Sequence, residues 1–272
     1  GIRYKLVTGV QTCALPIYDD FQWNDTVGLT SAGYRAVNYQ ATTCPAGARC
    51  EPIGYYEPTI PLPSASIYTN RPDRYRDFNG LELTFQKRMA NRWSASFSYA
   101  YNNAVEHFDS PASYEDPTCV AATCPGSFQY APVAAGSGIG NVYQNSKWLL
   151  KGSGRLQLPY SVNFALSYLG RQGFPFPATI LTPNRANSAG TAQVLLDPMG
   201  DVRYDALHTF DMRLDRTFHF GTLTVIPAMD LFNLTNNNTV QAKNIQQAAT
   251  NANVVSGIIA PRVARFGVSV RW

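Results

Sequence analysis

Hydrophobic and polar residues alternate with period 2 along several long stretches, and that alternation predicts strands. In Arg92 to Asn102, Trp93, Ala95, Phe97, Tyr99 and Tyr101 share one face, while Arg92, Ser94, Ser96, Ser98 and Asn102 share the other. Before it, Leu81, Leu83 and Phe85 alternate with Glu82, Thr84 and Gln86, and Lys87 to Asn91 supplies a turn. Further on, Trp148, Leu150, Leu156 and Leu158 alternate with Lys151, Ser153, Arg155 and Gln157. A turn at Pro159–Tyr160 then leads into Val162, Phe164, Leu166 and Tyr168. The next pair sets Phe210, Met212, Leu214 and Phe218 against Asp211, Arg213, Asp215 and Thr217, turns at 219–221, and returns through Leu223, Val225, Met229 and Leu231. The final run places Phe266, Val268, Val270 and Trp272 opposite Arg265, Gly267, Ser269 and Arg271. Arg216 is the one charge in phase with the apolar positions, and Pro227 reads as a bulge or an edge position.

Strand length and spacing narrow the fold. Runs of about 10 to 12 residues exceed the 5 or 6 usual in a soluble sheet and match the roughly 9 to 11 that a tilted strand needs to cross a bilayer. Connections alternate between long segments, at 27–76, 104–145, 171–204 and 235–261, and short ones, at 88–91, 159–160 and 219–221. All long loops then fall at one end. With a partial strand around Tyr18 to Thr26, the pattern predicts an all-β, antiparallel up-and-down transmembrane barrel fragment of about eight long strands, with short periplasmic turns and long extracellular loops. Two other readings are open: a self-contained eight-stranded barrel with a structural or adhesive role, and a secreted carbohydrate-binding β-sandwich whose apolar face is a core.

Composition agrees with a membrane-facing sheet. Only 15% of the 272 residues are charged and 12% are aromatic, whereas an ordinary soluble domain is about one quarter charged. No run of about 18 apolar residues occurs, which removes a transmembrane helix. A net charge of +4 with the arginines spread along the chain gives no nucleic-acid footprint. Residues 1–17 stand apart: VTGVQTCALPI resembles the translation of a sequencing adaptor, and the competing reading is a native strand over Ile2 to Val10. The expectation is that 1–17 are foreign and that 18–272 form the barrel segment.

Four blocks carry a family resemblance: RDFNGLELTFQKRMANRWSASFSYAYNNA at 76–104, LQLPYSVNFALSYLGRQGFPF at 156–176, FDMRLDRTFHFGTLTVIPAMDLFNLTNNNTV at 210–240, and APRVARFGVSVRW at 260–272. In their order they resemble the C-terminal barrel of TonB-dependent outer-membrane receptors, most of all the Oar-like group. The resemblance implies a location in the cell outer membrane and uptake of a large scarce solute. The implied partners are outer-membrane lipid, the barrel-assembly machinery, and TonB acting through a plug and strands not among these residues. The row Phe266, Val268, Val270 and Trp272 resembles the signal that the assembly machinery reads.

Candidate chemistry is sparse. Cys44 with Cys50, and Cys119 with Cys124, fall in predicted loops as local pairs that could form disulfides in an oxidising compartment; a zinc site is the alternative. No nucleophile elbow, P-loop, dinucleotide fingerprint or HExxH motif occurs, and His107, His208 and His219 have no spaced partners. Neither an enzyme nor a cofactor is expected. Arg155, Asp211, Arg213 and Asp215 form a predicted lumen-facing polar row that either touches a solute or makes a cross-strand ion network with neighbours such as Lys151 and Arg265. The acidic run Glu106, Asp109, Glu115 and Asp116 is either a cation attractor or a solvated loop.

Overall fold

The computed structural model describes residues 7–15, 22–26, 31–62, 66–70, 74–108, 118, 146–197 and 201–272, with side chains described over 32–62, 79–103, 118, 146–197 and 201–272. In chain order the strands are β1 (Val7–Leu15), β2 (Gln22–Thr26), β3 (Tyr34–Tyr39), β4 (Ile53–Pro58), β5 (Ser66–Asn70), β6 (Arg74–Ala90), β7 (Trp93–Phe108), β8 (Trp148–Leu158) and β9 (Val162–Arg171). They continue as β10 (Thr179–Leu181), β11 (Gln193–Leu195), β12 (Leu207–Arg216), β13 (Phe218–Phe220), β14 (Leu223–Phe232), β15 (Val240–Lys243), β16 (Val255–Ile258) and β17 (Val263–Arg271).

One antiparallel sheet dominates, in the order β1, β6, β7, β8, β9, β12, β14, with β13 extending β12 along β14 and β17 on the far side of β14. Successive long strands are neighbours, so the layout is up and down, as the sequence predicts. Short turns do this at one end. Asn91 and Arg92 have φ of 53° and 68°, and Tyr160 and Ser161 have φ of 61° and 58°. Two successive left-handed residues give a turn whose twist matches that of the flanking strands. Gly221, at φ 62°, makes the third turn without a Cβ penalty.

Two expectations need correcting. The strand beyond β6 is β1, Val7–Leu15, paired from Val7 opposite Gln86 to Leu15 opposite Phe78. The stretch around Tyr18 to Thr26 instead supplies β2, which pairs with β5 in a separate two-stranded sheet. Pro227 is neither a bulge nor an edge: it sits inside β14 and faces Val268 in unbroken register. Its missing N–H coincides with the gap between β12 and β13, where pairing to β14 lapses between Asp215–Ala228 and Phe218–Val225.

The register sorts side chains onto two faces. Trp93, Leu156, Phe164, Leu214, Met229 and Phe266 are successive partners across six strands, so they form one apolar row. Phe85, Phe97, Gly152, Tyr168 and Phe210 form another. Among the described residues no second sheet covers this face. Phe97 is 41% exposed and Phe266 is 76% exposed, which removes the sandwich reading, since its apolar face would be dry.

The buried apolar core lies at the other end, where the long connections are expected as irregular loops. They contain three hairpins, β3–β4, β10–β11 and β15–β16. Ala41, Ile53, Tyr55, Ile180 and Val194 form a core there, with Val37, Tyr39, Leu196 and Ala248 packed around it. Connections far apart in sequence thus make a folded cap. Gln247, 1% exposed, stitches it: its Oε1 accepts from Arg49 N at 3.2 Å, and its own N–H donates to the Thr179 carbonyl at 2.8 Å.

Candidate functional site

The polar face of the large sheet is the candidate site, and its geometry follows from the same period-2 rule. Gln86, Ser96, Ser153, Ser167 and Asp211 are successive partners from β6 to β12. Ser94, Arg155, Ala165, Arg213, Asp230 and Arg265 make the next row towards the turns. Apart from Arg265, these residues line a hollow of about 510 Å³. Ser96 and Ser153 hydroxyls lie 3.2 Å apart.

Arg155, Asp211, Arg213 and Asp215 all stand on this face, and their partners divide them. Arg213 Nη1 donates to Asp230 Oδ1 at 3.0 Å and its Nε to Asp215 Oδ2 at 3.4 Å. Arg265 reaches Asp230 Oδ2 through Nε at 3.0 Å and Nη2 at 2.9 Å. Asp215 also accepts from Asn163 Nδ2 at 2.7 Å. Asp211 accepts the Asn233 backbone N–H at 2.8 Å, which fixes the start of the loop after β14. Arg155 and Lys151 stay outside this network among the described residues, whereas Arg265 joins it. Asp230, the hub, is absent from the predicted row. The signal for it was weak: Asp230 is in phase with Thr224 and Ala228, but Ile226 and Phe232 share that phase.

On the opposite face, aromatic residues collect at two levels. Trp93, Phe218, Phe220 and Trp272 lie towards the turns, and Tyr101, Trp148, Tyr168 and His208 towards the cap. Tyr168 OH lies 2.7 Å from His208 Nδ1, and the two rings stack at 6.1 Å. Two cations stand on this face among the described residues, each over an aromatic ring: Lys87 Nζ lies 3.8 Å from the Trp93 ring centre, and the Arg216 guanidinium 4.6 Å from that of Phe218.

The cap holds the remaining candidates. Cys44 and Cys50 form a disulfide with a Cα–Cα distance of 5.9 Å. Next to it Arg49 pairs with Glu51 and Asp197. Arg35 Nη2 donates to Glu57 Oε2 at 2.8 Å and Tyr55 OH to Glu57 Oε1 at 3.2 Å. The Arg35 bond holds the Glu57 carboxyl below the ordinary glutamate range, and burial with Glu57 nearby pushes the Tyr55 hydroxyl up. Cys119, Cys124, His107 and the acidic run Glu106, Asp109, Glu115 and Asp116 lie outside the described side chains. Among the described residues no cluster of His, Cys, Asp or Glu has the spacing of a metal site.

No protein-family profile matches the chain, and no curated protein does. Among solved structures, the outer membrane transporter YddB from Escherichia coli is similar, with a TM-score of 0.42 and 15% sequence identity over 90% of this chain. The chain spans 31% of that protein's length.

Proposed function

We propose that the chain is part of the wall of an outer-membrane transporter. The observation that carries this reading is the two-faced register: from β6 to β17 the described side chains present an uncovered apolar face on one side and a hydroxyl- and ion-lined face on the other. A water-soluble protein does not leave so large an apolar surface open, whereas a barrel wall needs it against lipid, with polar residues lining the lumen. From Trp93 to Tyr101 the two aromatic levels are separated by roughly 27 Å along the strand. After the usual tilt of about 35–45° that is about 19–22 Å, most of the roughly 25 Å of an outer-membrane apolar band. The β12–β14–β17 ion network is then a lumen lining that stiffens the wall, and the chain performs binding and gating without covalent chemistry.

Dependence on TonB, uptake of a large scarce solute, and reading of the Phe266–Val268–Val270–Trp272 row by the barrel-assembly machinery are proposed from the resemblance of the four sequence blocks. Single cysteines test the membrane reading. In phosphatidylcholine vesicles, Phe97→Cys and Leu214→Cys should report a lipid environment to a spin label, while Ser96→Cys and Arg213→Cys should react with a water-soluble reagent. Equal aqueous accessibility of both sets would overturn it. The finer reading is tested in the genomic locus, where coding sequence for a plug and a TonB-contacting segment should precede residue 18. A start codon and signal peptide directly before that point would overturn it.

A further inference from the structure

We propose that the polar face carries, at its turn end, a binding site for a soluble phosphate-type oxyanion, formed by Arg92, Arg155 and His219. A hollow of about 480 Å³ lies there, and its lining includes these three side chains with Gln157, Asn163 and Thr217. Register explains the convergence. Gln157 N donates to the Arg92 carbonyl at 2.7 Å, which sets Arg92 beside Gln157, and Ser94 faces Arg155 one pair further along. Gln157 faces Asn163 on β9. Thr217 N donates to the Ser161 carbonyl at 3.1 Å and brings the β12–β13 junction, and with it His219, to the same rim. His219 Nδ1 lies 3.1 Å from Thr224 Oγ1, which orients the ring.

The charge is one-sided. No carboxylate lines the hollow. The nearest acid on this face, Asp215, is taken by Asn163 and Arg213. Arg213 and Arg265 are in turn held by Asp230. Arg92 and Arg155 have no side-chain hydrogen bond or ion pair among the described residues, so two planar donor forks on adjacent rows are open. A carboxylate would occupy one fork, while a phosphate has oxygens enough for both, with the His219 imidazole and the Gln157 amide completing its shell. Arg155, Gln157 and Asn163 stand on the polar face, opposite the row that contains Trp93, Leu156 and Leu214, which favours a soluble anion over a lipid headgroup. The inference goes beyond the transporter reading and holds whichever way that reading is decided.

The whole 272-residue chain, in neutral detergent micelles, is treated with phenylglyoxal, and arginine modification is mapped by mass spectrometry. Inorganic phosphate is compared with chloride at equal ionic strength, with exposed Arg262 as internal reference. Phosphate should slow modification of Arg92 and Arg155 several-fold relative to Arg262, and chloride should not. Arg155→Gln should abolish the protection of Arg92 with an unchanged far-ultraviolet circular dichroism spectrum. If that variant loses its sheet, Arg155→Lys, which keeps the charge and loses the fork, should weaken the protection. Phosphatidylglycerol doped into the micelles should leave both arginines unprotected. The proposal is overturned by equal modification in phosphate and chloride, by protection from phosphatidylglycerol alone, or by full protection of Arg92 in the folded position-155 variant.

Discussion

Arg213 and Asp230 stand directly opposite each other on β12 and β14, 3.0 Å apart, and the carboxylate of Asp230 is reached again from β17 by Arg265 at 2.9 Å. One buried acid therefore joins three strands through side chains as well as through the backbone ladder. Removing its charge leaves Arg265 without an anion and Arg213 with only Asp215 at 3.4 Å, so two guanidinium groups repel each other across a gap that water partly screens. Asp230→Asn should lower the urea midpoint of the refolded chain by more than Arg213→Gln does. Adding Arg213→Gln to Asp230→Asn should recover part of the loss, because one stranded cation is removed. Strict additivity in that double-mutant cycle would show that the pair is not coupled.

Gly173 is a second point where the chain tolerates one residue type. A Cβ built there would lie 1.7 Å from the Tyr204 carbonyl oxygen and 2.8 Å from that of Asp205, both backbone atoms that cannot swing away. This close approach also brings Tyr204 N within 2.9 Å of the Phe174 carbonyl. Gly173→Ala should destabilise the junction between β9 and the cap by about 1–3 kcal/mol, seen as earlier loss of cap structure on heating. Gly152, which meets nothing within 4 Å, should accept alanine with little change and serves as the control.

The sheet was legible in the sequence because its strands obey a local rule. In Trp93 to Tyr101 every second residue is apolar, and the partners of that run on β6 and β8 follow the same phase. Asp230 obeys it too, yet its role depends on Arg213 and Arg265, neither adjacent in sequence. The cap was not legible for a physical reason. Ile180 sits in a three-residue strand, too short to show a period, and is buried by Ile53 and Tyr55 from a connection over 120 residues away. Strand β1 was set aside for another reason: it lies within residues 1–17, whose resemblance to an adaptor translation outweighed the strand reading of Ile2 to Val10, and its place here comes from pairing to β6.

Acid should weaken one contact of the cap in a defined direction. Arg35 donates to Glu57, so the folded carboxyl is held below its ordinary value of 4.5. A group depressed in the folded state contributes stability above its unfolded value and loses it as pH falls through the folded one. The Arg35–Glu57 contact should therefore be intact at neutral pH and fade below about 4.5. Arg35 is 66% exposed, so water screens the pair and the effect on stability should be small. Carbon-13 titration of Glu57 should show a midpoint below 4.5 that returns towards that value in Arg35→Gln. A midpoint unmoved by the substitution would mean that the Tyr55 hydroxyl, or the backbone, sets it instead.

The cap and the sheet should come apart under mutation, because they are held by different forces. The sheet's apolar face is uncovered among the described residues and, on the proposed transporter reading, rests against lipid or detergent, whereas the cap buries Ile180 and Ile53 in a protein core of its own. Ile180 is 0% exposed, so Ile180→Ala removes buried methylenes and leaves a cavity, at a cost of about 2–5 kcal/mol. Cys50→Ser opens the short Cys44–Cys50 loop and should cost the cap roughly 2 kcal/mol. Both changes should make residues 32–62 and 172–206 cleavable by trypsin while residues 79–103 and 148–171 keep their protection in micelles. Tryptophan emission of a Trp23→Phe chain should support this split, since Trp93, Trp148 and Trp272 report the sheet and residues 32–62 and 172–197 contain no tryptophan. If Ile180→Ala shifts that emission to the value of the denatured chain, then cap and sheet fold as one unit and the separation argued here is wrong.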